Sequence, residues 1–388
     1  MKFKRVFLLV LDSVGVGEAL DAVNYNSVGA NTLGNIMKSC DLFVPNLKKI
    51  GLLDIVNMSV NDDVDAYYTI AKPNNAGKDS INAHYEMFGL KNDIPFQTFN
   101  QGFTFDILNG IEEITGRRVI GNMCCNDSSI INELGERQMN YGSLIVYTSA
   151  DSDLQVAAHE DCIPISMLYQ YCERIRALTL KEEWRVGNVI ARPFSGKPGN
   201  FKFVNSLRKD YAVKPPGRTV LNTLVENKLN VIGIGKINDI VVGEGINKQI
   251  KACNNTEVLN KLSDIMDKKF TGLCIANLSD FDTIYGHNRD VDGYAKAIEE
   301  LDVEIPIILN KLEVDDLLII TADNGCDPTF EGNDHTRENL PVIIYSRVFN
   351  NAKRLNALES LSDIGATIAD NFSVEKPLIG NSFMEELN

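Results

Sequence analysis

Asp282 and His287 stand five positions apart with Gly286 between them, and His335 comes later beside Asp334 and Arg337. Carboxylate and imidazole at such spacing can turn toward one divalent cation. A second set of donors, Asp12 and Asp323-Asn324, directly follows two apolar runs. Two ions about 4 Å apart can clamp the attacking and leaving oxygens of a phosphoryl displacement. The candidate nucleophile is Ser80, after Gly77-Lys78-Asp79 and before a stretch that can be helical. Backbone N–H groups at a helix start can hold a phosphate, and a serine hydroxyl needs activation to attack at neutral pH. Each group also has an ordinary reading: Asp12 as a helix cap, Ser80 as a plain N-cap with Ala83 at the third helical position, and the histidines as loop residues.

Several short runs rich in Val, Ile and Leu end in these polar clusters. They are Val6 to Leu11, Val231 to Ile234, Leu273 to Leu278 and Leu317 to Ile320. Runs apolar on both faces fit parallel strands covered by helices, and Tyr294 to Leu312 and Asp363 to Asn371 read as helices between or after them. The expected fold is α/β, and ligands of such sheets lie outside the carboxyl ends of the strands. From about Ile94 to Pro216 the pattern changes, with a strand-like Ser143 to Thr148, a helical stretch from Met167 to Leu178 and a Gly/Pro-rich segment at Arg192 to Asn200. Pro95 and Pro215-Pro216-Gly217 bracket it. The expected organisation is a core of 1–93 and 217–388 with 94–216 inserted.

The chain has 388 residues and a formal charge of −15. That charge argues against nucleic acid or an anionic membrane as partner, because no strongly basic patch offsets it. The run after Met1-Lys2-Phe3-Lys4-Arg5 is short and ends in Asp12, so it is read as a core strand and not as a leader. No run reaches the roughly 20 apolar residues of a membrane span. The eight cysteines are scattered, which suits reduced thiols in a cytoplasm.

The order Asp12, Lys78-Asp79-Ser80, Asp282, His287, Asp323-Asn324, His335 resembles the alkaline phosphatase superfamily, and within it the phosphopentomutases. The likeness includes Phe7 to Asp21, Gly142 to Glu160, Val189 to Phe194, Asp210 to Thr219, Ile234 to Asp239 and Asp363 to Thr367. It implies an alkaline-phosphatase-like core, a mainly parallel sheet flanked by helices, with an inserted α/β cap domain. It implies two divalent ions, manganese or else magnesium, one on Asp282, His287 and His335 and the other on Asp12, Asp323 and Asn324, with Ser80 as nucleophile. The implied substrate is a small sugar phosphate, ribose or deoxyribose 1-phosphate or 5-phosphate. By the same matching Ser149 and Asp151 contact sugar hydroxyls, and Arg192, Arg208 and Lys236 contact phosphate.

The chain departs from that pattern at informative places. Asn324 stands where the family has histidine, so a neutral amide replaces an imidazole, which suits Mg²⁺ or Mn²⁺ better than Zn²⁺. Ser80 replaces threonine, Ala83 a glycine and Tyr85 a tryptophan, while 123–129 departs from the family's segment and Asp153 replaces an apolar residue. Three readings follow: a divergent phosphopentomutase, a metal-dependent phosphatase or phosphotransferase acting on a related sugar phosphate, and a catalytically impaired sugar-phosphate-binding homologue.

Overall fold

The computed structural model describes every residue except 62, 126–128, 150–151 and 388. Two units emerge from it: Met1–Ile94 joined with Pro215–Asn388, and Pro95–Lys214 between them in the chain.

The first unit is built on a seven-stranded sheet in the order Lys248–Ile250, Asn230–Ile234, Gly272–Leu278, Arg5–Leu11, Asp316–Thr321, Leu340–Tyr345, Tyr67–Ala71. The first five strands run parallel and the last two pairings are antiparallel. Every residue of Arg5–Leu11, Gly272–Leu278 and Asp316–Thr321 is buried, which is why these strands read as unbroken apolar runs rather than alternating ones. Register carries directly into function. Leu11 lies opposite Leu278 and Val10 opposite Thr321, so Asp12 and Asp323 leave their strands at one level of the sheet. At the other end of the same strands, Arg5 is buried and donates to both carboxylate oxygens of Asp316, with Nε–Oδ1 at 2.7 Å. Its remaining N–H groups reach the carbonyls of Met266 and Lys268 at 2.7 and 2.8 Å.

The helix expected at Tyr294 to Leu312 runs Val291–Lys311, starting earlier because Asp290 accepts the Gly293 N–H at 2.9 Å. Ser362–Phe372 is the last α-helix. Among the described residues no helix is long and apolar enough to cross a membrane.

The inserted unit has a sheet in the order Val119–Cys124, Leu144–Thr148, Asp153–His159, Asn188–Lys197, Asn200–Phe203, with Lys209–Ala212 also paired to Asn188–Lys197. Side chains alternate between its faces as a strand requires. Leu144, Val146, Val156 and Ala158 join the apolar cluster with Phe105–Thr115 and Ile165–Leu178, while Ile145, Tyr147 and Ala157 pack with Ser129–Tyr141. The fold is thus α/β in both units.

Candidate active site

Strand ends of the first unit deliver the carboxylates. The residue after Asp12, Ser13, takes a left-handed conformation (φ 70°), and its N–H reaches Asp323 Oδ1 at 3.2 Å. The buried Tyr294 hydroxyl donates to the Ser13 carbonyl at 3.0 Å, fixing that turn. Gly15 leaves room not for a ligand but for the side chain of Glu338. A Cβ at Gly15 would lie 2.3 Å from Glu338 Oε2, and one at Gly325 would lie 2.4 Å from Oε1. Glu338 accepts from Thr32 N–H (2.9 Å), Thr32 Oγ1 (2.7 Å) and Thr336 Oγ1 (2.6 Å). This carboxylate ties the loops after Asp12 and Asp323 to the segment carrying His335.

Beyond Leu278 the chain does not continue as a loop. It forms a π-helical turn, Phe281–Gly286, a rare wide turn frequent at functional sites. It carries Asp282 inward and ends at His287. His335 Nε2 lies 3.0 Å and His287 Nε2 3.3 Å from Asp282 Oδ1, with the imidazole centroids 4.7 Å apart. The ligand atoms of Asp282, His287 and His335 all fall within 4.8 Å of one another. His287 Nδ1 faces the Asn333 carbonyl at 2.7 Å. A carbonyl only accepts, so Nδ1 carries a proton and Nε2 is the nitrogen turned toward the carboxylate. One carboxylate and two imidazole nitrogens converging in this way fit a divalent ion. Burial alone would raise the Asp282 carboxyl, but the two imidazoles outweigh it and hold it well below the usual carboxylate range.

Ser80 opens the helix Ser80–Met87, but it is not the cap. Asp79 is, accepting the Asn82 N–H on Oδ1 at 2.9 Å and the Asn82 side chain on Oδ2 at 2.7 Å. This corrects the plain N-cap reading of Ser80. The adjacent carboxylate does the capping and leaves the Ser80 hydroxyl available. Ser80 Oγ donates to Asp12 Oδ1 at 3.4 Å and accepts from Asn324 Nδ2 at 3.1 Å. Two anchors hold the preceding loop. Arg337, buried, donates to the carbonyls of Pro73 (3.0 Å), Asn75 (2.9 Å) and Gly77 and to Asp21. Glu86 accepts from the N–H of Asn74 at 3.0 Å and from the Asn75 side chain at 2.6 Å. Arg337 was in view in the sequence only as a neighbour of His335. Its signal, a cation among Gly/Asn loop carbonyls, exists only in three dimensions.

The second donor set differs from the first. Lys236, following the strand Asn230–Ile234, places Nζ 2.6 Å from Asp12 Oδ2. Burial would lower this ammonium, but Asp12, Asp282 and Asp323 raise it. Oδ2 of Asp323 and Oδ1 of Asn324 are buried without hydrogen-bond donors. The set therefore holds two carboxylates and an amide, faced by an ammonium whose charge offsets one carboxylate. His84, buried, directs Nδ1 to the Ser80 carbonyl at 2.8 Å and lies 3.5 Å from Asp323 Oδ2. Asp280 instead exchanges bonds with Asn255 (2.8 and 3.0 Å), and His159 lies in the inserted unit between Phe194 and Phe201.

The other singled-out residues also lie in the inserted unit. Arg208 donates to both oxygens of Asp210, at 2.7 and 2.8 Å, and Arg192 lies 4.2 Å over the Phe203 ring. Ser149 gives its N–H and Oγ–H to Asp153 at 2.8 and 2.9 Å. Asp151 lies outside the described residues.

Three solved structures show similarity over most of the chain. Leishmania mexicana phosphoglycerate mutase, determined at low cobalt concentration, is 11% identical with a TM-score of 0.48, covering 98% of this chain and 97% of that one. The PH0037 protein of Pyrococcus horikoshii is 13% identical with a TM-score of 0.44, covering 89% and 88%. A Vibrio parahaemolyticus protein in the alkaline phosphatase superfamily is 11% identical with a TM-score of 0.46, covering 100% and 71%. The family model described as the metalloenzyme superfamily matches residues 4–376. Its match takes in every strand of the core sheet and each candidate ligand named above, and the chain belongs to the metalloenzyme superfamily.

Proposed function

We propose that this protein is a phosphopentomutase-like phosphotransferase that interconverts 1- and 5-phosphates of ribose or deoxyribose in the cytoplasm, with Mn²⁺ or Mg²⁺ on Asp282, His287 and His335. The observation that carries this reading is the position of Ser80. It sits at the start of a helix capped by Asp79, with its hydroxyl between Asp12 and Asn324. Such an ion, when bound, supplies positive charge to a transferring phosphoryl group.

The chain's own residues supply the rest. Asp12 Oδ1 accepts the Ser80 Oγ proton, so the oxygen can attack phosphorus while the phosphate–sugar P–O bond breaks; the departing sugar oxygen takes a proton from solvent, and Asp12 returns its own to solvent. The Asn324 Nδ2–H bond orients the Ser80 oxygen. With the Asn82 N–H taken by the Asp79 cap, the N–H groups of Ser80 and Ile81 are the ones at the helix start that can face phosphoryl oxygens. In the forward direction phosphoserine gives its phosphoryl group to the free hydroxyl of a sugar monophosphate, yielding the bisphosphate. Ser80 then takes the other phosphate, leaving the isomerised monophosphate and restored phosphoenzyme. Arg192, Arg208, Lys236, Ser149 and Asp151 are assigned to the sugar phosphate on the resemblance.

One observation favours a second reading, a metal-dependent phosphotransferase or phosphatase on a related sugar phosphate. Asp153 takes both donors of Ser149, and an added carboxylate discourages phosphate there while favouring hydroxyls or an amine. Incubation with ribose 1-phosphate and Mn²⁺ separates the two. Ribose 5-phosphate without free phosphate supports the mutase, and release of phosphate without isomerisation overturns it in favour of the second.

A further inference from the structure

We propose that this protein works with one divalent ion, and that the Lys236 ammonium occupies the electrostatic role of a second. The proposal goes beyond the phosphotransfer reading and rests on the composition of the two donor sets. The first set offers a carboxylate and two imidazoles converging within 4.8 Å. The second offers Asp12, Asp323 and the neutral amide of Asn324, and among the described residues no histidine or cysteine completes it as a further three-ligand cluster.

Lys236 already brings a positive charge against this set. Its Nζ lies 2.6 Å from Asp12 Oδ2, the oxygen not used by Ser80, which bonds Oδ1. Asn324 turns its N–H donor, not its carbonyl, toward Ser80 Oγ. An ammonium has three donors and no acceptor; one is given to Asp12 and none reaches the buried Asp323 Oδ2 or Asn324 Oδ1, so the ammonium neutralises the set without ligating all of it. Charge balance points the same way. One divalent ion and one ammonium neutralise the carboxylates of Asp12, Asp282 and Asp323. A second divalent ion beside Lys236 would leave this buried site in positive excess before any ligand entered, and uncompensated buried charge is costly.

The test counts ions and needs no substrate. The full-length chain, stripped with chelator, is titrated with Mn²⁺ by calorimetry, and bound Mn²⁺ is read by electron paramagnetic resonance. One equivalent per chain with the spectrum of an isolated ion is expected. The double variant Lys236→Met/Asn324→His should take up a second equivalent and give a spin-coupled spectrum. Two tight equivalents in the unaltered chain, none at all, or a single equivalent in a folded double variant would overturn the proposal; should the variant not fold, the count in the unaltered chain decides. Failure to isomerise ribose 1-phosphate would refute the mutase reading and leave this count untouched.

Discussion

His335, buried, and Asp79, half-buried, show how differently two polar residues contribute to one site. His335 has its Nε2 on Asp282, so His335→Ala removes a candidate ion ligand without opening an apolar core. Mn²⁺ affinity should fall by more than about a hundredfold, since even outer-shell partners of metal ligands are worth 10–100-fold. Calorimetry on a variant with unchanged circular dichroism checks this, and full-strength binding would remove His335 from the ligands. Asp79 acts through backbone. Asp79→Ala frees the Asn82 N–H and should cost about 1 kcal/mol in urea unfolding. It should also lower turnover more than that loss predicts, because Ser80 is the next residue in the chain. Which of Asp79 and Ser80 caps the helix was not legible in the sequence, since both types cap well. The extended backbone at Asp79 (φ −94°, ψ 153°) decides it.

Elements deliver these residues, and here the sequence was most informative. Fully buried parallel strands are apolar over most of their length, so the polar cluster after each run marks where the chain leaves the sheet. Asp12 and Asp323 were readable for that reason. The π-helical turn at Phe281–Gly286 was not, because one widened turn leaves no periodicity, and Lys236 meets Asp12 across a separation that no local pattern encodes. The same strands fix the opposite end through Arg5 and Asp316. Arg5→Met leaves the Asp316 carboxylate buried without its guanidinium and should cost about 3–5 kcal/mol. Arg5→Met/Asp316→Leu should recover most of that in chemical denaturation. A single variant as stable as the parent would show that the pair carries no structural weight.

For the whole molecule, the assembled carboxylates make stability depend on pH and on metal. In the metal-free protein burial, and then the charge of Asp323, push the Asp12 carboxyl up to about 8, with Lys236 opposing. A carboxyl raised by folding binds its proton more tightly in the native state. Its contribution to stability is complete below the unfolded value near ~3.9 and is lost as pH rises through about 8. Metal-free Tm should therefore carry a component that declines over that interval, and Asp12→Asn should flatten it; an unchanged profile would mean that Asp12 does not titrate there. The most direct measurement of the central claim is peptide mapping of the phosphorylated protein after incubation with the sugar bisphosphate and Mn²⁺. Phosphate should be found on Ser80 and be lost on adding sugar monophosphate. Phosphate on any other residue, or a turning-over enzyme that never carries phosphate, would contradict it.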